Sequence, residues 1–114
     1  MFEEHQKQFL RYMQITGDLI LVEGKNDRKV LEKMGLENIF EISGKQLDTV
    51  ADILKTKQQK VIILTDYDKE GIRQYKRLKS LLLANDIKTS DSIRRDFKRN
   101  FLVNKIEELT SYFR

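Results

Sequence analysis

Val61-Ile62-Ile63-Leu64-Thr65-Asp66-Tyr67-Asp68-Lys69-Glu70-Gly71 joins a continuous apolar run to three acids at alternate positions. The run reads as a strand buried on both faces. Asp66, Asp68 and Glu70 stand at its carboxyl end, where open α/β sheets place their ligands. Alternate residues of an extended backbone share a face. Carboxylates held together there repel each other by about 4 kcal/mol per pair at about 4 Å and an effective dielectric near 20. Such a cluster holds a hard divalent cation or raises a carboxyl pKa.

Outward from this stretch, strands alternate with helices. Leu19 to Val22 forms a first buried strand ending at Glu23-Gly24, and Asn38 to Ile42 a second, closed by Ser43-Gly44. Phe2, Phe9, Leu10 and Met13 mark an N-terminal helix within residues 1–16. Val30, Leu31 and Met34 recur at helical spacing, with Asn26 as N-cap and Gly35 as stop. Leu47, Val50, Ala51 and Leu54 make the stripe of another helix, and Ile72, Tyr75, Leu78, Leu82 and Leu83 that of a third. Ile87 opens a short fourth strand. Phe97, Phe101, Leu102, Ile106, Leu109 and Phe113 describe one closing amphipathic helix in a basic segment, 91–114. The expected fold is α/β, with a mainly parallel sheet of about four strands between helices on both faces. A core over about 18–90 would carry both terminal helical segments as one domain of 1–114.

Composition narrows the function classes. Hydrophobic residues make up 39% and charged residues 35% of 114, which suits a compact chain with a charged surface. No apolar run approaches the roughly 18 residues of a membrane span, and Met1 to Gln6 lacks the pattern of a signal peptide, so a cytoplasmic location is expected. Without cysteine there is no disulfide framework or thiolate metal site. The net charge of +4 is carried by Ile87 to Lys105, where six basic residues meet two acids. A basic stretch in a chain with an acidic cation site points to a polyanion such as nucleic acid, although a solvated helix face has the same composition.

If the first and third strands are neighbours, Glu23 faces Asp66 and Asp68 across one gap of about 5 Å. Oxygen ligands around a small volume suit Mg²⁺, or Mn²⁺ as a substitute. An Asp-x-Asp alone is as well explained by helix capping. Haloacid-dehalogenase-type phosphatases also use Asp-x-Asp, but on an early strand followed by Gly-Thr, and no Gly-x-Gly-x-x-Gly follows the first strand here.

Glu23-Gly24 together with Asp66-Tyr67-Asp68-Lys69-Glu70-Gly71 resembles the Toprim domain shared by topoisomerases, bacterial-type primases, old-family nucleases and small ribonucleases. Val22 to Asp27 is similar to the opening of the ribonuclease that matures 5S ribosomal RNA, and Asp66 to Gly71 to a type IA topoisomerase. Ile93 to Phe97 and Ile106 to Leu109 resemble the small stand-alone Toprim proteins of archaea. The resemblance implies that Asp66 and Asp68 hold Mg²⁺. It also implies that Glu23 binds metal or acts as general acid/base, and that Glu70 completes a second metal site. Lys25 and Lys45 are candidates for phosphate contact, and Arg94, Arg95, Lys98 and Arg99 for docking a nucleic-acid backbone. The implied activity is an Mg²⁺-dependent reaction at nucleic-acid phosphodiesters, as in an RNA-processing or DNA-repair nuclease. The alternative is a binding module for nucleic acid or ribonucleoprotein that holds Mg²⁺ without turnover. With little surface to select a substrate, a protein partner or a homodimer is expected in either case. No strand-passage tyrosine domain or primase zinc module accompanies these motifs.

Overall fold

The computed structural model describes residues 2–113; Met1 and Arg114, included above in the terminal helical segments, lie outside the described residues. The elements run α1 (Glu4–Thr16), β1 (Leu19–Val22), α2 (Lys25–Lys33), β2 (Ile39–Glu41), α3 (Leu47–Lys57), β3 (Val61–Ile63), α4 (Lys69–Ala84), α5 (Asp91–Phe101) and a closing 3-10 segment (Ile106–Phe113). The strands pair in the order β2-β1-β3, all parallel.

Burial on both faces explains the apolar runs. Ile20 and Val22 of β1, with Ile62 and Leu64, pack into a core built with α1, α2, α5 and the 3-10 segment. The alternate residues Leu19, Leu21, Val61 and Ile63 point the other way, into a core shared with α3 and α4. The period of two thus feeds two separate cores from one strand.

The sheet has three strands, not about four. Ile87 falls short because Asp86 turns the chain in the left-handed region (φ 59°), and the Ile87 amide bonds back to Leu82 O at 2.9 Å. Thr89 then makes a single parallel bridge to Val61 before α5 begins at Asp91. The expected single closing helix is also two elements. Leu102 caps α5 in the left-handed region (φ 55°) and is 78% exposed, so it leaves the apolar stripe it was assigned to. Helix α2 starts one residue before the expected cap, with Gly24 at the N-cap position and the Asp27 carboxylate accepting from its amide at 3.2 Å.

Candidate functional site

Because β1 and β3 are parallel neighbours, their carboxyl ends open on one edge. The Leu64 amide bonds Leu21 O at 2.8 Å, which carries the pairing up to Glu23 and Asp66. Asp66 lies in a tightly held turn. The Arg94 guanidinium donates to Ile63 O (3.1 Å), Thr65 O (2.7 Å) and Asp66 O (3.0 Å). It stacks between the Tyr67 and Tyr75 rings, 4.3 and 4.5 Å from their centroids. Tyr67 in turn donates its hydroxyl to Arg94 O at 2.7 Å. On the other side, the Ile106 amide donates to Asp66 Oδ1 at 2.9 Å. Asp68 caps α4 by accepting from the Gly71 amide at 2.8 Å.

The acids share a cavity of about 420 Å³ lined by Glu23, Asp27, Asp66 and Glu107, with Lys25 and Lys105. Of the sequence-expected residues, Glu23, Asp66 and Lys25 therefore meet. Asp68 does not line this cavity; one of its oxygens is committed to the helix cap. Glu70 pairs with Arg73 on the exposed face of α4. Lys45 stands 5.3 Å from the Phe40 ring centroid and is not in the cavity wall.

The expectation that Arg94 docks a phosphate backbone is corrected by its place in the fold. It is 6% exposed, and three of its N–H groups donate to carbonyls of β3 and the turn after it. Arg95, Lys98 and Arg99 border a separate groove of about 500 Å³, whose wall also includes Tyr67, Tyr75, Asp91 and the buried Arg94. Arg95 and Arg99 lie 3.6 and 3.7 Å from the same Asp96 carboxylate oxygen.

Three acid-edge residues escape a reading of the sequence. Glu107 and Lys105 give no local signal, since they sit in a segment whose pattern says only amphipathic. Asp27 does have one, standing one helical turn after Glu23 at the start of α2. Its pKa is pushed up to about 6, first by burial and then by Asp66, with smaller contributions from Glu107 and Glu23 and an opposing hydrogen bond from Gly24. The native state therefore binds this proton more tightly than the unfolded chain, whose carboxyl titrates near 3.8. Folding is favoured by Asp27 at low pH, and that advantage disappears as pH rises from about 4 through about 6. Asp27→Asn keeps an oxygen for the Gly24 amide and removes the penalty. The variant should melt higher than wild type above pH 6 and converge with it near pH 4. Parallel melting curves across that range would remove Asp27 from the electrostatics of the cavity.

The donor chemistry suits magnesium, which is held through one or two carboxylates with retained waters rather than in an all-protein cage. Among the described residues, no three acids stand close enough to form such a cage. Gln74 adds a polar neighbour. Its amide nitrogen is 3.4 Å from Glu23 Oε1, while its buried Oε1 has no hydrogen-bond donor among the described residues.

Residues 18–100 match the model of the Toprim domain. A UPF0292 protein of Methanocaldococcus jannaschii is 38% identical over 97 residues, 82% of this chain and 76% of that protein. Another from Pyrococcus furiosus is 37% identical over 84 residues, 73% of this chain, and the match spans 63% of that protein's length. A solved structure of a protein from Aquifex aeolicus superposes with a TM-score of 0.82 at 32% identity, over 93% of this chain and 99% of that one. No helix among the described residues is long and apolar enough to cross a membrane.

Proposed function

The chain belongs to the Toprim domain family, and from that premise we propose that it is a magnesium-dependent enzyme acting on nucleic-acid phosphodiesters, as an RNA-processing or DNA-repair nuclease. One observation carries this reading. Two adjacent parallel strands end in Glu23 and Asp66, and both side chains line one cavity with Lys25.

Glu23 and Asp66 would hold the cation through one or two carboxylate contacts with retained waters, while Asp68, outside the cavity, caps α4 and so supports the Asp66 turn. Bound there, magnesium would supply electrostatic stabilisation of charge developing at the phosphate. Glu23 would move a proton at the scissile phosphate, with the Gln74 amide nitrogen 3.4 Å from its carboxylate. Lys25 answers the charge of an entering phosphate. The Arg94 clamp keeps the Asp66 backbone from shifting, so the site is rigid before substrate arrives. Arg95, Lys98 and Arg99 give the rest of a nucleic-acid strand a basic groove.

A second reading, binding without turnover, draws on a different observation. Asp66 and Asp68 each already spend an oxygen on a backbone amide. Both readings meet one experiment: incubation of the protein with structured RNA and single-stranded DNA in Mg²⁺ or Mn²⁺. An enzyme gives cleavage that falls to background in Asp66→Asn and by about 10²-fold or more in Glu23→Gln. Cleavage that survives both substitutions would put the chemistry elsewhere. Metal-dependent binding without cleavage would select the second reading.

A further inference from the structure

The stretch matched by the family model ends at residue 100, yet the residues after it complete the acidic cavity. The chain turns at Leu102, and Lys98 Nζ gathers Val103 O and Asn104 Oδ1, each at 2.8 Å. The Tyr67 amide donates to Asn104 O at 2.6 Å and the Ile106 amide to Asp66 Oδ1 at 2.9 Å. Ile106 and Leu109 are fully buried against the sheet core. Lys105 and Glu107 flank the buried Ile106, and both line the cavity.

We propose that residues 102–113 form a functional wall of this site and that Lys105 positions a phosphate of the nucleic-acid substrate against Asp66. The proposal rests on the reading of the site as one for nucleic-acid phosphodiesters. Lys105 follows a turn tied to the main chain at Tyr67 and precedes the residue whose amide holds the Asp66 carboxylate, so its origin is fixed relative to that acid. Its side chain is exposed, and among the described residues its ammonium forms no ion pair, despite four carboxylates lining the same cavity. A lysine present only to neutralise those acids would be paired with one of them. A compact ammonium on a flexible stem is instead suited to an incoming phosphate oxygen. The carboxylates repel a polyanion, and with four of them in the cavity a phosphate reaching Asp66 is helped by a second cation, Lys105, beside Lys25 and any bound metal ion.

The test is binding of fluorescent RNA and single-stranded DNA oligonucleotides to the full chain in Ca²⁺, across a range of salt, with melting of each variant alongside. Lys105→Ala should weaken binding and reduce the salt slope by about 0.7–0.9, the value of one phosphate contact. Lys105→Arg should restore the slope, and neither variant should melt below wild type. An unchanged slope in Lys105→Ala, with wild type binding normally, overturns the proposal and leaves the functional reading standing. So does a lowered melting temperature with an unchanged slope, which would make Lys105 only a counter-charge for the acids. Failure of wild type to bind any of these oligonucleotides would overturn the functional reading, and the role of Lys105 with it.

Discussion

Arg94→Met should lower unfolding free energy by about 3–5 kcal/mol, since each buried acceptor left without its donor costs about 1–3 kcal/mol. The guanidinium supplies Ile63 O, Thr65 O and Asp66 O together. Methionine retains much of the stem's packing but offers no donor. The two flanking tyrosine rings also lose a cation, worth about 0.5–2 kcal/mol at each face. Burial pulls the guanidinium pKa down, while Tyr67, Tyr75, Asp66 and Asp91 oppose it. Arg94→Lys should lose less than methionine because an ammonium still donates to some of these carbonyls, yet it should fall short of wild type because one ammonium cannot span all three as the guanidinium fork does. A domain of this size is stable by only about 5–15 kcal/mol, so the methionine variant should sit near the edge of folding. Denaturant titration reads the loss as a shift of midpoint at constant slope. A loss below about 1 kcal/mol for Arg94→Met would mean that the guanidinium does not hold this turn.

The same residue shows what composition leaves out. Composition groups Arg94 with Arg95, Lys98 and Arg99 because it counts charge without direction. Spacing held the correction: Arg94, Phe97 and Phe101 stand at i, i+3 and i+7, one face of α5, and all three are buried. An arginine on an apolar face announces an interior set of acceptors, here the carboxyl end of β3. The buried strands were legible because Leu19 to Val22 and Val61 to Leu64 have no polar residue to orient, which only a sheet covered on both faces allows. Glu23 and Asp66 were legible as partners because parallel strands share their polarity. Glu107 and Lys105 were not, since they reach the cavity only through the docking of residues 102–113 on the Asp66 turn, a tertiary event without local periodicity. Glu70 stood out by alternation with Asp66 and Asp68. That alternation ends where α4 begins at Lys69, and a helical backbone carries Glu70 out to Arg73.

Gly71→Ala should be about as damaging as the loss of Arg94, for reasons of space alone. A Cβ at Gly71 would stand 2.0 Å from Asp66 O, 2.4 Å from Asp66 C and 2.8 Å from Asp66 Cα, all main-chain atoms. The Asp66 backbone cannot yield, because Arg94 holds its carbonyl and Ile106 its carboxylate. The start of α4 must move instead, breaking the Asp68 cap and the bond from Thr65 Oγ1 to Gly71 O, both at 2.8 Å. Overpacking costs about 1–3 kcal/mol and a lost cap about 1 kcal/mol, so a fall of about 3 kcal/mol or more is expected. Activity should fall further than stability, because the displaced turn is the one that brings Asp66 to Glu23. Gly24→Ala is the control. Gly24 has extended backbone (φ −144°) and nothing within 4 Å of a Cβ, so alanine there should cost no more than about 1 kcal/mol, the loss of a favourable N-cap residue. The two glycines follow the two acidic strand ends alike in sequence, and melting of both variants separates them. Equal, small effects would mean that α4 does not press on the Asp66 turn. A collapse confined to Gly71→Ala would make the close approach of that helix the condition for an acidic site at this edge.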